Sequence, residues 1–231
     1  MATADARLIV ALDLPSRAEA EALVERLGDA VSFYKIGLQL LAVGGMTLAS
    51  ELKARGMKVF ADWKLHDIGA TVEKATAAVA GTGACDFITV HAEPQVLAGA
   101  VRGRAGTPLK ILGVTVMTSL DDADLAQIGY AFGVDALVER RILQCLEAGA
   151  DGVIVSPREA ALARHLGGPS FLVVTPGVRP RGAGLDDQAR AETPAHALKQ
   201  GASHLVIGRP ITAAADPRGA ALAVAAEMAG A

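Results

Sequence analysis

Gly149-Ala150-Asp151-Gly152-Val153-Ile154-Val155 joins a glycine able to close a helix to a short, β-branched apolar run that reads as a buried strand. Its opening recurs in Gly83-Ala84-Cys85-Asp86 and Gly201-Ala202-Ser203-His204, each behind a helical pattern and ahead of another apolar run. A recurring unit of helix, glycine cap and strand implies parallel pairing, because each helix returns the chain to the same end of the sheet. Outward from these stretches the strand-like runs are Leu8 to Leu12, Val31 to Ile36, Lys58 to Ala61, Phe87 to Val90, Leu109 to Val114, Gly152 to Val155, Phe171 to Val174 and His204 to Ile207. The first helix is clearly marked. Ser16 and Glu19 have capping-box spacing, Ala20, Leu23, Val24 and Leu27 form one apolar stripe, and Gly28 ends it. Eight such units in 231 residues predict an α/β chain folded as one (β/α)8 TIM barrel of eight parallel strands over residues 1–231. An open doubly wound sheet is the alternative, and the alanine-rich segment Asp216 to Met228 is expected to be the closing helix.

With 52% hydrophobic residues the chain can bury a substantial core. A net charge of -3, with no run of five or six basic residues, argues against nucleic acid and points to a small-molecule partner. Met1 to Arg7 lacks the pattern of a signal peptide, and no uncharged apolar stretch is long enough to span a bilayer. The expectation is a soluble cytoplasmic protein with no membrane partner. Cys85 and Cys145 lie far apart, without metal-ligand spacing, and are expected in the core as reduced thiols.

Barrels of this kind carry their chemistry at the C-terminal ends of the strands, which focuses the search on polar residues there. The stretch Phe60-Ala61-Asp62-Trp63-Lys64-Leu65-His66-Asp67-Ile68 stands out. Asp62 and Lys64 are two residues apart, so an extended backbone sends both side chains to one face, while Trp63 and Leu65 turn outward into helix packing. Asp67, past the expected strand end, is free to turn elsewhere, even across a subunit boundary. Alone, this pattern also describes an ordinary surface ion pair. The other strand ends supply Asp13, Lys35, His91, Thr118 and Ser119 to the same rim, and such convergence marks a candidate site. His91 is read as a supporting residue.

Thr175-Pro176-Gly177-Val178-Arg179-Pro180-Arg181-Gly182-Ala183-Gly184-Leu185-Asp186-Asp187-Gln188 is too long and glycine-rich for a simple connection and reads as a lid. After the eighth run comes Ile207-Gly208-Arg209-Pro210, where Pro210 suits a first helical turn and Gly208 lets backbone approach a ligand. Loops seven and eight are the usual phosphate site of this fold, and Arg179 and Arg209 bring guanidinium forks to it.

With Asp13, Lys35, Asp62-x-Lys64-x-x-Asp67-Ile68, Thr118-Ser119, Pro176-Gly177-Val178-Arg179, Asp187-Gln188 and Ile207-Gly208-Arg209-Pro210 in order, the chain resembles the orotidine 5'-phosphate decarboxylase family over essentially its whole length. One departure is Gly69-Ala70, where many members have a proline. The resemblance implies cofactor-independent decarboxylation of orotidine 5'-phosphate to UMP, the last step of de novo UMP synthesis, with no metal, in a homodimer. It implies Lys64 as proton donor to C6 of the pyrimidine, with Asp62, Lys35 and Asp67 completing a charged array in which Asp67 reaches the neighbouring subunit. It further implies substrate contacts from Asp13, Ile68, Thr71, Thr118, Ser119 and Pro176, and a phosphate grip from Arg179, Gln188, Gly208 and Arg209. A rival, resembling magnesium-dependent 3-keto-6-phosphogulonate decarboxylase, shares the Asp-x-Lys-x-x-Asp element but has an acidic metal ligand where this chain has Lys35, whose ammonium would repel the ion. A non-catalytic nucleotide-binding barrel is the remaining reading.

Overall fold

The computed structural model describes residues 4–180 and 192–230, and within them eight strands close a parallel barrel. They are β1 (Leu8–Ala11), β2 (Phe33–Gly37), β3 (Lys58–Leu65), β4 (Phe87–His91), β5 (Lys110–Val114), β6 (Gly152–Ile154), β7 (Leu172–Thr175) and β8 (His204–Ile207). Neighbours in sequence are neighbours in the barrel, and β8 closes on β1 through Leu8 with Leu205, Ile9 with Val206 and Val10 with Ile207. The TIM barrel expected from the repeated unit is the fold.

The glycines of that unit do the work their chemistry allows. Gly83 and Gly149 end the helices Gly69–Thr82 and Val134–Ala148 at φ of 63° and 76°, where a β-carbon would be strained. The helix Arg17–Leu27 starts as its spacing predicts, with Ser16 Oγ accepting from the Glu19 amide at 3.2 Å, and it buries Ala20, Leu23, Val24 and Leu27. The chain closes on the helix Pro217–Ala229, capped by Asp216, which accepts from the Gly219 amide.

Alternation along the strands divides the core into two layers. Leu8, Val10, Tyr34, Ile36, Ile88 and Val90 pack outward under the helices, whereas Ile9, Ala11, Phe33, Phe60, Phe87, Leu112, Val174 and Val206 fill the barrel. Three of the chain's five phenylalanines serve this inner layer, with Phe87 edge-on to Phe33 at 5.0 Å and to Phe60 at 6.0 Å. Their bulk plugs the lower barrel and leaves the strands' C-terminal ends for polar groups.

Two details sharpen the sequence reading. First, β3 continues past Ala61 to Leu65, because the segment containing Asp62 and Lys64 is a bulge within the strand and not a loop after it. Second, where Gly69-Ala70 replaces the family's usual proline, a helix still begins, directly at Gly69 and without a side-chain cap. A β-carbon at Gly69 would meet the Gln95 carbonyl at 2.8 Å, so glycine there permits close packing against the helix Pro94–Gly103. Both cysteines are buried, and burial pushes their thiols up to about 12. Among the described residues no helix is long and apolar enough to cross a membrane.

Candidate active site

Four charged side chains from three strand ends meet at the upper rim. Lys35, inward on β2, donates to both carboxylate oxygens of Asp13, at 2.9 and 3.1 Å, and lies 3.4 Å from Asp62 Oδ2. Lys64 donates to Asp62 Oδ1 at 2.8 Å. The result is a row in which charge alternates: Asp13, Lys35, Asp62, Lys64. Exposure falls toward its middle, from 53% for the Asp13 side chain to 9% for Lys35 and 14% for Asp62, so the inner charges interact in a poorly screened setting.

Burial by itself would raise the Asp62 carboxyl. The ammoniums of Lys35 and Lys64, with hydrogen bonds from Lys64 and Thr89, outweigh it and hold the group below the ordinary carboxylate range. Asp62 is therefore an anion held between two cations. Gly37 makes the row possible from below, since a β-carbon there would collide with Asp13 Oδ1 and stand 3.1 Å from the Lys35 ammonium.

Lys35, Asp62 and Lys64 of this row form the shared wall of two adjoining cavities. A cavity of about 560 Å³ is lined by Asp13, Lys35, Asp62, Lys64, Pro176, Arg179, Gly208 and Arg209 among others. A second, of about 310 Å³, takes the same Lys35, Asp62, Lys64 and Pro176 and adds Phe60, Val114, Ile154, Thr118 and Ser119. Together they are large enough for a small organic ligand, polar at one end and apolar at the other. Pro210 occupies the first turn of the helix Arg209–Thr212 that follows Gly208. Arg179 is buried on the other side, on a segment pinned where its amide donates to the Glu192 carbonyl at 2.9 Å.

The structure thus brings Asp13, Lys35, Asp62, Lys64, Thr118, Ser119, Pro176, Arg179, Gly208 and Arg209 to one place. It does not bring Asp67, Ile68 or Thr71 there. Asp67 is exposed with its carboxylate accepting from the Ile68 amide, Ile68 is 64% exposed, and Thr71 is exposed on the following helix. Gln188, with most of the expected lid, lies outside the described residues. His91 stacks on His66 at 4.7 Å and does not line either cavity. Burial, reinforced by His66, Arg141 and Lys64 and opposed by Glu93, holds its imidazole below the usual histidine range.

Sequence reading passed over Gly37 and Thr89. The signal for Thr89 is a hydroxyl on the inward register of the otherwise apolar run Phe87-Ile88-Thr89-Val90, and for Gly37 a residue without a side chain two places after an inward lysine.

Comparison with known proteins points one way. The sequence profile of the Orotidine 5'-phosphate decarboxylase / HUMPS family matches residues 6–224. Orotidine 5'-phosphate decarboxylase of Caulobacter sp. (strain K31) is 66% identical over 228 residues, covering 99% of each chain, and that of Caulobacter vibrioides (strain NA1000 / CB15N) is 64% identical over 232 residues, again covering 99% of each. Among solved structures, orotidine 5'-phosphate decarboxylase from Lactobacillus acidophilus superposes with a TM-score of 0.85 at 36% identity, covering 97% of this chain and 99% of that one.

Proposed function

The chain belongs to the Orotidine 5'-phosphate decarboxylase / HUMPS family, and from that premise we propose that it decarboxylates orotidine 5'-phosphate to UMP, completing pyrimidine nucleotide synthesis in the cytoplasm, without metal or organic cofactor. One barrel domain over residues 1–231 carries the activity, working as a homodimer. The observation that supports this best is the alternating row Asp13, Lys35, Asp62, Lys64 on a cavity that Arg179, Gly208 and Arg209 also line. A nucleotide fits this pair of cavities with its phosphate at the arginines and its pyrimidine at Thr118 and Ser119.

In the reaction the bond between C6 and the carboxylate breaks, carbon dioxide leaves, and the electron pair stays on C6 in the ring plane, where the π system delocalises it poorly. An ammonium at that carbon stabilises the pair as it forms and then supplies the proton, after which Lys64 regains a proton from solvent. This is stabilisation of the transition state over the ground state. Asp62 faces the substrate carboxylate and repels it. Like charges at about 4 Å with an effective dielectric near 20 cost about 4 kcal/mol, relieved as carbon dioxide departs. The phosphate grip by Arg179, Gln188, Gly208 and Arg209 is remote from the chemistry and orders the site.

Against the magnesium-dependent rival, Lys35 favours the metal-free reading. Its ammonium already bridges Asp13 and Asp62, so the carboxylates that would attract magnesium have a cation between them. Asp67, Ile68 and Thr71, exposed and away from their own chain's cavity, serve the partner's site, Asp67 joining the charged array and the ribose hydroxyls.

Following substrate absorbance with and without a chelator tests substrate and metal independence together. Loss of turnover in chelator would return the magnesium reading, and no turnover in either condition would remove the activity. For the shared site, Lys64→Ala and Asp67→Asn proteins, each inactive alone, should regain about a quarter of wild-type activity when mixed, because half the dimers then hold one intact site of two. No recovery after subunit exchange would place Asp67 in its own chain's site.

A further inference from the structure

Lys64 meets Asp62 at the point where β3 slips against β4. Ala61 pairs with Ile88, and a regular ladder would continue with Trp63 opposite Val90 and Lys64 opposite His91. Instead Leu65 pairs with Val90, so Asp62, Trp63 and Lys64 together stand opposite Thr89. At about 3.3 Å per residue, the two-residue slip lowers the Lys64 backbone by about 7 Å along the barrel. It also forces Lys64 to φ of 50°, the only positive φ of a non-glycine residue among those described.

The slip deprives the Lys64 amide of a ladder carbonyl, and Thr89 takes its place. Thr89 Oγ1 accepts from the Lys64 amide at 2.9 Å and gives its one proton to Asp62 Oδ1 at 3.0 Å. That same oxygen receives the Lys64 ammonium at 2.8 Å. The amide and the ammonium of one lysine are thereby joined in a ring through Thr89 and a single carboxylate oxygen. Thr89 is fully buried, so bulk water does not compete for its hydroxyl, and its β-branched side chain has restricted rotation in a strand.

We infer that Thr89, which does not line the cavity, is a positioning residue for Lys64: its hydroxyl braces the β3 bulge and keeps the ammonium level with Asp62. The inference rests on the reading of Lys64 as proton donor given above. It accounts for the backbone conformation at Lys64 and for a polar group among inward apolar residues, neither of which the charged row explains.

Thr89→Val keeps the shape and removes the hydroxyl, Thr89→Ala removes it and leaves room, and Thr89→Ser retains it. Valine and alanine should lower kcat about 10- to 100-fold, the worth of a hydrogen bond to a charged group, with UMP affinity within about threefold of wild type. Serine should stay within about threefold in kcat. Wild-type kcat in the valine or alanine protein overturns the proposal, and so does an equal loss in the serine protein, since the methyl group would then be the cause. If valine does not fold, alanine carries the test. A crystal structure of the hydroxyl-free variant separates this inference from the assigned activity. Should wild type fail to turn over orotidine 5'-phosphate, Lys64 leaving Asp62 in the variant still supports the brace, and an unchanged Lys64 refutes it.

Discussion

The two rims of the barrel use the same residue types for opposite ends. At the lower rim, Asp86 just before β4 accepts from the Val59 amide of β3 at 2.8 Å and from Lys53 at 2.6 Å. Asp151 before β6 accepts from the Ile111 amide of β5 at 2.9 Å and from Lys110 at 3.0 Å, and Ser203 before β8 takes the Val173 amide of β7 at 3.0 Å. Each clasps the start of the preceding strand, which explains why the glycine-led repeat recurs at those three points. At the upper rim, Asp62 instead spends its oxygens on two ammoniums and a hydroxyl, and both ammoniums face a cavity. A carboxylate tied to backbone fixes register. One tied to cavity-facing side chains stays available to a ligand.

That contrast breaks most sharply at its lysines. Lys64→Ala should lower kcat by about 10⁴-fold or more while UMP still binds, the scale of a lost proton donor and charge, whereas Lys53→Ala should leave kcat within about twofold. Equal effects at the two lysines would erase the distinction between the rims. Along the upper rim, Arg209→Ala should reduce kcat/KM by about 10²- to 10³-fold through lost phosphate binding energy, and normal kinetics would remove the arginine from the phosphate grip.

The lower barrel should show itself in stability. His204 lies edge-on to Phe33 at 5.9 Å and Phe87 at 5.3 Å, and burial, with Lys58 and Arg7 adding to it and Asp5 opposing, pushes its imidazole down to about 4. Between the unfolded value near 6.5 and about 4 the unfolded chain binds more protons, so stability falls as pH drops through that window, by about 3 kcal/mol in all. Urea unfolding at pH 7 and pH 5 should show about 2 kcal/mol of this loss in wild type and a smaller one in His204→Gln; identical losses would clear His204 of the effect. The smallest change is expected from Asp86→Ala, which strands the Val59 amide and should cost about 1–3 kcal/mol in urea unfolding with kcat unchanged. A large fall in kcat there would mean that lower-rim register reaches the active site.

Much of this was legible along the chain, for local reasons. Ser16, Glu19 and the stripe through Leu27 announce their helix within twelve residues, and Gly83, Gly149 and Gly201 mark returns into strands wherever φ turns positive. The charged residues of the rim were legible too, because strand ends are fixed by the same apolar runs. The bulge in β3 was not: extended geometry was legible for Asp62 to Leu65, but not the slip by which Leu65 pairs with Val90. Spacing did allow Asp67 to turn away from the cavity, but it could not tell that Asp13, 22 residues before Lys35, pairs directly with that lysine.

By itself, then, the sequence determined a parallel (β/α)8 barrel and the set of charges at its upper rim, since hydrophobic period, glycine caps and strand ends are short-range properties. Only the tertiary structure decided that Lys64 sits level with Asp62. That placement depends on a two-residue slip braced by Thr89, 25 positions along the chain and on another strand, and no local pattern carries such a partnership.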